Sequence, residues 1–304
     1  MIVNGVHLEE INISEHNYTA DYFYEMGKKK LTGLHIYQSL FGTKQSTTLD
    51  FLDGIQNKSS VKILIIEVEL ANQEALERLY QFENLTGLYV CSKSIKPLIL
   101  KTCFSKLRSL TIVGNIKLMS VGDGCLRHLD LISCPVDVID KPCNSIERLF
   151  LYGCKDCSSL KYMSSSNLKK VIITKANLKK LDYLSNLKGL EYLELNYCSK
   201  IEDYSEIGAC RQLQNLYFEG IKRIDNLSVF TELKKLRSLT LFKCGEVKSL
   251  SFLNEMPALE DFVFTGTNVV DGDLTPCLRL KSAWSSSGKK HYNINVKDLP
   301  QRNN

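Results

Sequence analysis

The sequence predicts an α/β repeat solenoid, in which short parallel strands stack into a sheet and short helices, 3₁₀ turns or loops return the chain on the other side. Three observations predict it. The spacing L-x-x-L-x-L, with Ile, Val, Phe and one Ala allowed, starts twelve times, at Leu31, Val61, Leu85, Leu107, Leu126, Ile146, Leu168, Leu190, Leu213, Leu236, Leu259 and Leu280. Successive starts lie 19 to 30 residues apart, and a period in the twenties marks coils that bury their apolar faces only by stacking on neighbours. Between starts, stretches such as "DYLSNLKGL" are long enough for one short return segment.

The elements follow in order. Residues 1–30, with Tyr18, Tyr22, Phe23 and Tyr24 in "YTADYFYEM", are apolar enough to cap the first strand. Residues 31–285 form the coils. In "LEYLELNYC", Leu193 and Leu195 point inward while positions three, five and seven of the coil point outward, because side chains alternate along a strand. Position nine is Asn115, Cys134, Cys154, Cys198 or Cys244 in five coils. The chain turns inward there, and a small polar side chain satisfies backbone groups that the turn would otherwise strand. Residues 286–304 close the solenoid, with Trp284, His291 and Tyr292 covering the last coil and "DLPQRNN" fraying. One domain, 1–304, is expected, since a solenoid grows by adding units.

From Asn177 to Thr267 the coils resemble the 22-residue class of leucine-rich repeats found in phosphatase-regulating proteins and listerial internalins. Leu184, Leu187, Leu190, Leu193, Leu195, Cys198, Ile201 and Asp203 fill that template in order. The likeness extends over residues 31–285, with Cys mostly replacing Asn at position nine. It implies a curved right-handed horseshoe or arc with its parallel β-sheet on the concave face. The close, "DGDLTPCLRLKSAWSSSGKKHYN", resembles the end of many bacterial cytosolic leucine-rich repeat proteins, which favours a bacterial source.

Composition bounds the function. Apolar residues make up 44% and charged residues 24% of 304, and no run approaches the roughly 18 apolar residues a bilayer crossing needs. Glu9 and Glu10 interrupt what would be the apolar core of a secretory signal, so a cytoplasmic chain is expected. Eleven cysteines in a chain this long do not read as a disulfide framework. "CKDC", Cys154 to Cys157, lacks the second pair or histidine cluster that a zinc site needs.

The outward columns are where function is expected. His128, Arg148, Phe150, Tyr152, Tyr192, Glu194, Asn196, Tyr217, Glu219 and Phe242 combine rigid aromatic anchors with charges, a mixture enriched at protein interfaces. The bland reading is that cross-strand aromatic neighbours stabilise the sheet. Ser109, His128 and Asp130 share this face, but an open sheet offers neither an oxyanion hole nor exclusion of water, and a satisfied polar cluster is the expectation. No H-E-x-x-H, Walker loop or G-x-G-x-x-G occurs. The formal +5 charge is spread through "GKKK", "LKKVIITKANLKK" and "ELKKLRSL", which reads as a solvated surface more than a nucleic-acid footprint. The expectation is a non-catalytic protein-binding scaffold with no cofactor, metal or small-molecule substrate, in particular an immunity protein that occludes a toxin domain. The alternative is an adaptor or regulatory subunit of an enzyme.

Overall fold

Strict alternation builds the strands: Asn215–Glu219 runs exposed, buried, half-buried, buried, half-buried, as a strand with one covered face must. The computed structural model describes residues 2–3, 6–12, 31–38, 46–101, 104–119, 124–135, 137–163, 167–222, 224 and 226–301. It falls into two compact units, Met1–Ile146 and Glu147–Asn304.

The first unit holds β1 (Ile2–Val3), β2 (Val6–Asn12), β3 (Gly33–Tyr37), β4 (Ile63–Glu67), β5 (Gly87–Ser92), β6 (Leu98–Lys101), β7 (Ser109–Gly114), β8 (Ile116–Met119) and β9 (His128–Ile132). After the antiparallel β1–β2 pair, β2, β3, β4, β5, β7 and β9 follow one another in parallel. β6 and β8 form a small parallel sheet of their own. Within the expected cap, Val6–Asn12 is itself a strand of the sheet, with Leu8 buried opposite Gly33. Tyr18, Tyr22, Phe23 and Tyr24 lie outside the described residues. The unit's α1 (Gln73–Glu77) begins at Asn72, whose side-chain oxygen accepts from the Ala75 amide at 2.9 Å.

The second unit is more regular. Its strands are β10 (Arg148–Tyr152), β11 (Lys170–Thr174), β12 (Tyr192–Asn196), β13 (Asn215–Glu219), β14 (Ser238–Phe242), β15 (Gly245–Val247), β16 (Asp261–Val263), β17 (Thr267–Val269) and β18 (Ser282–Trp284). β10, β11, β12, β13, β14, β16 and β18 are parallel neighbours in that order, and β15 pairs with β17. The register puts Leu149, Val171, Leu193, Leu216, Leu239, Phe262 and Ala283 in one inward row, every one of them buried. Return segments are 3₁₀ turns such as Leu184–Asn186, Ser205–Ala209, Leu227–Glu232 and Ser251–Glu255. Leu184, Ile207, Phe230 and Leu253 send their side chains into the same core.

One backbone device recurs that the leucine pattern does not reveal. The eighth residue of eight successive coils is left-handed: Gly114, Ser133, Gly153, Lys175, Tyr197, Gly220, Lys243 and Gly266 have φ between 50° and 82°. Leaving the strand this way swings position nine inward. Glycine adopts the conformation freely, whereas a side chain there costs about 1–2 kcal/mol.

The C-terminal close corrects two expectations. Trp284 does not cover the last coil but stands 46% exposed, and Val296 and Leu299 are the buried apolar residues beyond it among the described residues. Nor does the tail fray at once, since the Ala283 amide donates to Pro300 O at 2.9 Å. His291 Nε2 lies 2.9 Å from Val269 O, and the Tyr292 hydroxyl accepts from the Val269 amide at 3.1 Å. Both therefore help close the unit by binding backbone.

Candidate interaction face

In the second unit, parallel pairing without slippage lines up the outward residues in columns. Phe150, Ile172, Glu194, Tyr217, Thr240, Val263 and Trp284 succeed one another across the sheet, and Tyr152, Thr174, Asn196, Glu219 and Phe242 do so beside them. Arg148, Lys170, Tyr192 and Asn215 form a third column. The phenylalanine and tyrosine rings on these columns are half-buried, and Phe150 and Tyr152 stand with centroids 6.3 Å apart.

Both central carboxylates are tied down from within the face. Glu194 receives the Tyr192 hydroxyl and the Asn196 amide at 2.6 Å each, and the Asn196 amide also reaches Thr174 Oγ1 at 3.3 Å. Glu219 receives the Tyr217 hydroxyl at 3.4 Å on one oxygen and the Tyr197 hydroxyl on the other. Burial, and then the bond to Glu194, push the Tyr192 phenol far above its usual value. Burial, and then the charge of Glu219, push Tyr217 to about 12. Both phenols therefore stay protonated and donating at neutral pH.

The cations behave differently. Lys170 Nζ sits 3.9 Å over the Tyr192 ring, Lys175 Nζ 5.6 Å over Tyr152 and Lys243 Nζ 4.8 Å over Phe242. Among the described residues none of the three has a carboxylate within ion-pair distance.

In the first unit, His128 is exposed at the head of β9, with Ser109 of β7 opposite it. Asp130, also on β9, receives the Thr111 hydroxyl at 3.3 Å. Nearer the N-terminus the outward His35 is more enclosed. Its Nε2 lies 3.0 Å from Glu67 and its Nδ1 3.9 Å from Glu10, and its ring packs on Tyr37 with centroids 5.1 Å apart.

Two solved bacterial structures are similar to this arrangement of strands and turns. The internalin InlF of Listeria monocytogenes aligns with a TM-score of 0.59 at 16% identity, over 95% of this chain and 83% of that one. The fold is that of a leucine-rich repeat protein. A leucine-rich repeat protein of Leptospira interrogans aligns with a TM-score of 0.50 at 16% identity, over 87% of this chain and 75% of that one. No protein-family model matches the chain, and no curated relative matches it in sequence.

As a leucine-rich repeat, the chain uses thiols at position nine as turn supports. Cys198 lies 3.4 Å from Asn196 O and 3.6 Å from Ile173 O, and Cys244 lies 3.4 Å from Phe242 O and 3.5 Å from Phe218 O. Each thiol thus bridges its own strand end and the preceding strand. In the next repeat Thr267 takes over the role, donating to Leu241 O at 2.6 Å. Cys154 and Cys157 of "CKDC" face separate carbonyls, of Tyr152 at 3.7 Å and of Asp182 at 3.2 Å. Among the described residues no group of histidine, cysteine or acidic side chains is arranged to hold a metal ion, and no helix is long and apolar enough to cross a membrane.

Sequence reasoning missed Lys175, Tyr197 and Lys243 as parts of the face. They stand at position eight, one residue past the alternating strand, and only the left-handed turn carries them back over the columns. The signal was present in Gly114, Gly153, Gly220 and Gly266, which hold the same position in other repeats.

Proposed function

We propose that this leucine-rich repeat chain is a non-catalytic scaffold that binds a partner protein on the outward columns of its sheet. Arg148, Phe150, Tyr152, Tyr192, Glu194, Asn196, Tyr217, Glu219 and Phe242 are the contacts proposed on the second unit, and His128 is one proposed on the first. The observation that carries this reading is the interlocked network in the second unit. Tyr192, Tyr217 and Tyr197 are fixed by hydrogen bonds to Glu194 and Glu219, so their rings lose little freedom when a partner docks on them. An apolar and charged face of this kind on a repeat sheet fits a macromolecular partner.

The specific role proposed is that of a cytoplasmic immunity protein whose face occludes a toxin domain. The alternative from another class is an adaptor or regulatory subunit of an enzyme. Co-expression separates them. An immunity protein rescues cells from a toxin encoded beside it, and Tyr217→Ala with Phe242→Ala abolishes that rescue while leaving the melting temperature nearly unchanged. Rescue that survives the double substitution refutes the face as the contact. A neighbouring enzyme whose activity changes with the chain present, with no toxicity to relieve, establishes the adaptor.

A further inference from the structure

We infer that the face of the second unit is built for an acidic protein segment, whose carboxylates pair with Lys170, Lys175 and Lys243 while its apolar side chains settle on the rings between them. This rests on the protein-binding reading above and names the partner's chemistry. The two central carboxylates of the face already hold tyrosine hydroxyls, so their charge is partly spent within the chain, and the third, Asp261, stands in the outer column beyond Ser238. The three ammonium groups rest on aromatic faces, and among the described residues none has a carboxylate partner. What these three ammonium groups lack is therefore a negative partner.

Backbone geometry points the same way. Lys175 and Lys243 occupy the left-handed position with φ of 50° and 53°, a backbone conformation disfavoured for residues with a side chain. That position carries both lysines from the strand end over the rings of the seventh column. Gly266 makes room for one of them, since a Cβ there would come within 3.0 Å of the Lys243 stem. The lysines are thus held at defined points of the face.

A nucleic-acid backbone fits less well. Its closely spaced phosphates cannot avoid Glu194 and Glu219, which lie between the lysines. A protein segment can set single carboxylates apart and place apolar groups over Phe150 and Tyr217.

The test uses the full chain and a fluorescein-labelled random copolymer of Glu and Tyr, read by fluorescence anisotropy at about 50 mM salt, where charge pairs are weakly screened. A Lys–Tyr copolymer and single-stranded oligo-dT serve as competing probes. The Glu–Tyr copolymer is expected to bind most tightly and to weaken with salt. The triple substitution Lys170→Gln, Lys175→Gln, Lys243→Gln is expected to weaken it about tenfold. Removing three lysines elsewhere, Lys188→Gln, Lys234→Gln, Lys235→Gln, is expected to leave binding unchanged at the same net charge. The inference is overturned if the two triple variants weaken binding equally, if oligo-dT binds tighter through the same lysines, or if the Glu–Tyr copolymer does not bind. In the last case, rescue that still depends on Tyr217 and Phe242 leaves the protein-binding reading standing and removes only its acidic partner.

Discussion

The thiol of Cys244 is an apolar-sized group with one weak donor, and its place between two carbonyls uses both properties. Burial disfavours the thiolate and pushes Cys244 and Cys91 up to about 11, and Cys157, Cys210 and Cys277 up to about 12. The sign of the pH dependence follows. Above the ordinary thiol value of 9 the unfolded chain releases protons that the folded chain retains, so stability falls as pH rises from about 9 toward 12. Urea melts across that interval check it, and a flat profile contradicts the buried-thiol account. Reactivity follows the same logic. At pH 8 a thiol-specific reagent modifies the exposed Cys125 rapidly, while Cys198 and Cys244 react at the rate of local opening. Mass spectrometry of partly labelled chain resolves the sites.

At the scale of the element, the inward leucines were legible because their spacing is fixed by the strand period, and the return turns were legible from their length alone. The left-handed eighth residue was legible only in the repeats where glycine holds it. Ser133, Lys175, Tyr197 and Lys243 carry no local sign of positive φ, and the conformation is imposed by the need to turn position nine inward. Two substitutions measure that demand. Ser133→Gly keeps the turn and removes its strain at an exposed position, so it raises stability by up to ~1 kcal/mol. Gly220→Ala loses about 1–3 kcal/mol, because φ is 63° there and a Cβ would lie 2.5 Å from the Tyr197 ring. Chemical denaturation of both variants reads the two signs, and a gain from Gly220→Ala contradicts the geometry. The same reasoning explains why the candidate face was only partly legible: alternation identified columns three, five and seven, whereas Tyr197 and the two lysines enter from outside the strand.

For the whole molecule, the repeat divides labour between two sets of residues one position apart. Leu216 is 1% exposed, and its neighbour Tyr217 looks outward. Leu216→Asp buries an unpaired charge and costs at least about 3 kcal/mol, which circular dichroism melts detect as a large fall in Tm. Tyr217→Ala leaves Tm close to that of the parent chain. The account's central claim, that the outward columns of the second unit hold a protein partner, is tested most directly by photo-crosslinking in living cells. A benzophenone amino acid is placed either at position 242 on the face or at position 228 in the return turn Leu227–Glu232. The account predicts one discrete adduct from position 242, lost on Tyr217→Ala, and none from position 228. An adduct from position 228 alone, or one from 242 indifferent to Tyr217, contradicts it.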